Sequence, residues 1–115
     1  MDKRIQMSIL LDIYGVLLTE KQRDIMDLYF NNDLSLAELS ENTKTSRQAN
    51  HDLIKRCEKL LLGYEAKLCL MTKDTELQNI KKLIDKDLNI LVETYRDTES
   101  KDVITDIRNL INDLN

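Results

Sequence analysis

"TSRQANHDLIKR", residues 45–56, decides the fold. Ser46 precedes a run whose apolar positions recur at spacings of three and four, so the segment opens a helix with Ser46 at its N-cap. Just before it stands "SENTKTS", residues 40–46, a tight connection from a short preceding helix. Short helix, tight turn and longer helix make the helix-turn-helix arrangement, in which the later helix is the one that enters a DNA groove. Whether this chain uses the shape to read DNA is then a question of charge and surface.

The surrounding sequence suits an all-helical chain. It has 115 residues, no proline, and only two glycines, Gly15 and Gly63. Proline ends helices and glycine weakens them, so their scarcity favours unbroken helix. With 33% charged and 42% hydrophobic residues the chain is globular in composition, and its length suits one domain over 1–115. Within that domain the helix-turn-helix core covers 19–59 and a helical extension covers 72–115.

Four stretches carry the spacing of a capping box, in which Ser or Thr and a Glu or Gln three residues later satisfy each other's free backbone N–H groups: Thr19 and Gln22, Ser35 and Glu38, Thr45 and Gln48, Thr75 and Gln78. With the apolar periodicity they predict helices over about 4–17, 20–30, 36–42, 46–70, 76–95 and 101–113. The fourth helix would bury a stripe of Ala49, Leu53, Cys57, Leu60, Tyr64 and Leu68, with a bend possible at Gly63. The fifth carries Leu77, Ile80, Ile84, Leu88, Leu91 and Tyr95 on one face, and the sixth Val103, Ile107, Leu110 and Leu114. Helices one, five and six thus have more apolar stripe than one small core covers, which predicts a homodimer.

Charge and motifs exclude several classes of function. The formal net charge is −4 and the pI about 5.0, unlike the basic surface of a generic polyanion binder. No glycine-rich phosphate loop or nucleophile–base pair is present, so neither catalysis nor a cofactor is expected. Cys57 and Cys69 form no CxxC, and His51 is the sole histidine, too few ligands for zinc. On one helix the two cysteines would stand about 18 Å apart, beyond disulfide reach, as suits a reducing cytoplasm. Cys57 reads as a packing residue and His51 as an exposed helix residue rather than a pH switch. Asp12 interrupts the apolar run of residues 9–18, which is also shorter than the roughly 20 residues of a membrane span. The chain reads as soluble and cytoplasmic, without membrane insertion.

The pieces "DIYGVLLTEKQRDIMDLYFNNDLSLAELSE", "SRQANHDLIKR" and "LLGYEAKL" together resemble the YlxM family, small bacterial proteins related to region 4 of sigma factors. The resemblance covers about residues 5–70. It implies an all-α fold, a sigma-region-4-like helix-turn-helix bundle with an N-terminal helix, to which the apolar periodicity adds two C-terminal amphipathic helices beyond the matched part. It further implies an accessory or regulatory role in the signal recognition particle pathway, with the particle's protein or RNA as partner. Two departures stand out. Thr45 and Asn50 occupy positions that are aliphatic in the family and would form a hydrophobic staple, so a Thr–Asn hydrogen bond is the expected replacement. Lys44 occupies a turn position that suits glycine.

If Ala49, Leu53 and Cys57 face inward, then Arg47, Gln48, His51, Asp52 and Lys55 face outward, and Arg47, Gln48, His51, Lys55 and Arg56 form the candidate partner face. Residues 46–59 carry four basic against two acidic side chains, but residues 19–59 carry seven against eight. Phosphate contacts supply most non-specific affinity for DNA, so DNA is a possible but weak partner. The sequence therefore leaves three readings: a pathway accessory protein, a DNA-binding regulator using the 46–59 helix, or a purely structural homo-oligomer.

Overall fold

The computed structural model describes residues 2–114 and is all-helical over them. The elements are α1 (Lys3–Tyr14), a 3₁₀ turn (Gly15–Leu17), α2 (Glu20–Phe30), α3 (Leu36–Thr43), α4 (Arg47–Leu68), α5 (Leu70–Thr94) and α6 (Thr98–Asn112). Packing divides the chain into two compact units, Met1–Met71 and Thr72–Asn115, with the boundary near the start of the extension expected at 72.

In the first unit, Thr19 and Ser35 each close a full capping box, with Gln22 and Glu38 respectively. The Ser35 backbone N–H holds the Glu38 carboxyl below the usual carboxylate range. The helices then bury one shared core. Met7, Leu10, Leu11 and Tyr14 of α1 meet Ile25, Met26 and Phe30 of α2, Leu39 of α3, and Ile54, Cys57 and Leu61 of α4. Arg4 of α1 tethers the end of α2: its Nη1 donates to the Tyr29 carbonyl at 2.7 Å and to Asp33 Oδ1 at 2.9 Å. A cation there meets the carbonyl end of a helix, where its charge is favoured.

The predicted stripe of α4 is off by one residue. Ala49 and Leu68 are exposed, and the buried line is Asn50, Ile54, Cys57 and Leu61, with Leu53, Leu60 and Tyr64 beside it. The cause is Asn50. It is polar, which hides it from an apolar count, yet it is 1% exposed. Its Nδ2 donates to Thr43 Oγ1 at 3.2 Å, and Thr43 Oγ1 donates to the Leu39 carbonyl at 2.8 Å. The staple is thus replaced by a polar link, but the partner of Asn50 is Thr43; Thr45 bonds instead to the Thr43 carbonyl at 3.3 Å. Lys44 takes the left-handed conformation, φ 56°, as the turn requires.

The Ser46 cap of α4 stands as predicted, while one predicted capping box does not form and the start of α5 moves. At α4 the cap is Ser46 accepting from Ala49 N–H at 3.1 Å, while Gln48 donates to Asp52, so no Thr45–Gln48 box forms. Helix α5 begins at Leu70, and Thr75 lies inside it. Cys69 turns the chain with φ 55°, and α4 runs unbroken through Gly63.

In the second unit α6 starts at Thr98, because Asp97 accepts from Ser100 N–H at 2.9 Å. That bond holds the Asp97 carboxyl below its usual range. Leu88 and Ile104 are the buried apolar side chains, and Arg108 of α6 joins α5. Arg108 Nη2 donates to Asn89 Oδ1 at 2.8 Å. Its Nε lies 3.1 Å from Asp85 Oδ1 as an ion pair, although its N–H is not aligned for a hydrogen bond. Lys81 Nζ also donates to the Leu114 carbonyl. Of the stripes predicted here, Ile80 and Leu91 of α5 with Tyr95 just after it, and Val103, Ile107 and Leu110 of α6 with Leu114 just after it, are exposed. A hairpin of two helices gives each one neighbour, which covers only one edge of a wide apolar arc.

Candidate functional site

Helix α4 presents all five candidate residues, Arg47, Gln48, His51, Lys55 and Arg56, as exposed. At about 100° per residue, Arg47, His51, Lys55 and Gln48 fall within roughly 100° of arc, whereas Arg56 lies about 180° from Arg47. The structure brings the first four together and sets Arg56 apart.

Acidic side chains share this surface. Gln48 Nε2 donates to Asp52 Oδ1 at 2.9 Å, and His51 Nδ1 lies 3.6 Å from the same oxygen. Lys55 Nζ is 3.6 Å from Glu58 Oε2, and Lys3 Nζ of α1 is 3.2 Å from Glu58 Oε1. Glu58 is 8% exposed and so holds two cations at the margin of the core. Its carboxylate, hydrogen-bonded to Lys3, raises the Lys3 ammonium above its usual range. Among the described residues Arg47 and Arg56 have no ion-pair partner. Lys55 is therefore partly neutralised, and Arg47 is the free cation of the arc.

The arc borders a cleft of about 270 Å³ lined by His51, Lys55 and Glu58 of α4, by Lys3 and Arg4 of α1, and by Phe30 at the end of α2. Sequence reasoning missed Lys3, Arg4 and Glu58. Lys3 and Glu58 are far apart in the chain, and Glu58 looks like an ordinary surface acid until its burial is seen. Arg4 is already committed to Asp33 and to the rings of Tyr29 and Phe30, 5.2 and 5.9 Å from its guanidinium carbon. The cleft is mixed in charge rather than a cationic trough.

The two cysteines lie in contrasting surroundings. Cys57 is fully buried, and burial pushes its thiol up, away from the reactive thiolate. Cys69 is exposed and also free. Among the described residues no group of His, Cys, Asp and Glu could hold a metal ion. None of the described helices is long and apolar enough to cross a membrane.

Comparison with known proteins extends the match beyond residue 70. Residues 1–104 match the family model UPF0122, described as "Putative helix-turn-helix protein, YlxM / p13 like". A UPF0122 protein of Clostridium novyi is 52% identical over 111 residues, 96% of each chain. One from Clostridium kluyveri is 51% identical over 111 residues, again 96% of each, and one from Clostridium acetobutylicum 48% identical over 112 residues, 97% of each. The first part of the acidic extension is therefore a family feature along with the helix-turn-helix, and the chain belongs to the UPF0122 family of YlxM-like helix-turn-helix proteins.

Proposed function

We propose that this protein is a non-enzymatic accessory or regulatory protein of the signal recognition particle pathway, working in the cytoplasm through the outer face of α4. The observation that carries the reading is the YlxM-like match over residues 1–104, since the role implied for that family is in this pathway. The surface supports a particle component over duplex DNA. On the arc of Arg47, Gln48, His51 and Lys55, Gln48 and Lys55 already bind acids of the same helix, Asp52 and Glu58. A mixed surface of this kind complements a protein, or an RNA recognised by shape, better than a continuous phosphate backbone.

A second reading keeps the kinship with sigma factor region 4 and makes α4 a reader of duplex DNA. It is favoured by the Ser46-capped start of α4, with Arg47 and His51 exposed on its first turns, where a recognition helix contacts bases. Equilibrium titration of the chain against reconstituted particle and against duplex DNA separates the two. The first reading predicts saturable binding to the particle, with duplex binding no tighter than the roughly 10⁻⁴–10⁻⁶ M non-specific range. Tight, sequence-selective duplex binding with no affinity for the particle would establish the second.

A further inference from the structure

The second unit leaves most of its apolar surface uncovered. Leu88 and Ile104 are buried, while nine large apolar side chains between Ile80 and Leu114 are exposed. The two exposed stripes converge. Leu91 of α5, Tyr95 just beyond its end, and Val103 and Ile107 of α6 line one cleft of about 290 Å³. By helical spacing the α6 stripe continues through Leu110 and Leu114, 61% and 49% exposed. The α5 stripe continues back to Ile80, 53% exposed.

We propose that this groove is a homotypic interface, filled by the α5–α6 hairpin of a second copy of the chain to make a four-helix bundle. The area fits. The seven of these nine that lie on the two stripes, at roughly 90 Å² exposed apiece, present about 630 Å², within the roughly 600–1,000 Å² that each partner of a standard interface buries. A patch of that size exceeds the few hundred Å² usual on a soluble monomer. The geometry fits as well. Each helix of the hairpin has one neighbour and an uncovered edge on the same side, and a two-fold axis supplies each with a second neighbour. Charge argues against an anionic occupant, because residues 72–115 carry seven basic and ten acidic side chains. A nucleic acid would be repelled, whereas two apolar grooves pair without needing opposite charge.

The test is sedimentation of the full chain and of two variants, Leu91→Asp and Ile107→Asp, with circular dichroism to check helix content. At about 10 µM the unaltered chain sediments at about 27 kDa, twice its 13.5 kDa mass. Each variant sediments as monomer with its helices kept, because the altered side chains are exposed. Should a variant lose its helices, salt decides on the unaltered chain. Two like-charged units associate more tightly as salt rises from about 50 to about 500 mM, since screening removes their repulsion. A chain that stays monomeric at about 100 µM, folded variants that remain dimeric, or a dimer loosened by salt would each overturn the proposal.

Discussion

The Tyr14 hydroxyl of α1 donates to Glu65 Oε1 of α4 at 2.7 Å, and together the two residues cap the start of α5. Leu70 N–H donates to the Tyr14 oxygen at 3.0 Å, and Met71 N–H donates to Glu65 Oε1 at 2.9 Å. The left-handed Cys69 aims those N–H groups back at the pair. A carboxylate at a helix N-terminus is favoured by both hydrogen bonding and the helix dipole. This long-range cap takes the place of a local Ser, Thr, Asp or Asn.

Tyr14→Phe removes one donor and one acceptor from this buried cluster. The melting temperature should fall by several degrees, and exchange of the Leu70 amide should quicken. Burial, with the Glu65 bond, pushes the Tyr14 phenol above its usual value near 10. The folded state thus holds the proton more tightly than the unfolded state does. The stability linked to it is complete below pH 10 and is lost as pH climbs from there through the folded value. The unaltered chain should lose stability in that alkaline window more steeply than Tyr14→Phe. Equal slopes would contradict this role.

Asn50→Val should destabilise by about 1–2 kcal/mol, because Thr43 Oγ1 loses its donor in a half-buried site. Thr43→Val combined with Asn50→Val should cost less than the sum of the two single changes, as for side chains in direct contact. Thermal melts of the four chains complete the cycle. Strict additivity would show that the link carries no coupling.

Lys44→Gly should stabilise by about 0.5–1 kcal/mol, since the left-handed conformation strains a residue with a Cβ and not glycine. Lys44→Ala keeps that strain and should give no gain. Denaturant melts of the two variants distinguish conformation from loss of charge.

Gly63→Ala should also stabilise, by roughly 0.5–1 kcal/mol, because Gly63 sits inside α4 and an added Cβ meets nothing within 4 Å. A loss of stability would mean that α4 needs a bend there.

Local signals were readable from the chain, while long-range ones were not. Thr19 with Gln22 and Ser35 with Glu38 mark their helix starts because a capping box is complete within four residues. The helix-turn-helix and the outward placement of Arg47, Gln48, His51 and Lys55 followed from the same local patterns. The buried line of α4 did not, because Asn50 and Glu58 take inward positions as polar residues held by distant partners, Thr43 and Lys3. Nor did the start of α5, whose cap comes from Tyr14 and Glu65. Periodicity placed the stripes of α5 and α6, but it does not say how much of each stripe one neighbouring helix covers.

The most direct test of the proposed role is the affinity of Arg47→Ala/Lys55→Ala for reconstituted signal recognition particle, measured beside the unaltered chain. Both side chains are exposed, so the double variant should keep its stability to within about 1 kcal/mol. The account predicts that it binds the particle at least about tenfold more weakly, a change of about 1.4 kcal/mol, while duplex DNA binding stays weak for both chains. Unchanged particle affinity, or particle affinity absent from both chains beside nanomolar duplex binding that the two substitutions abolish, would contradict it.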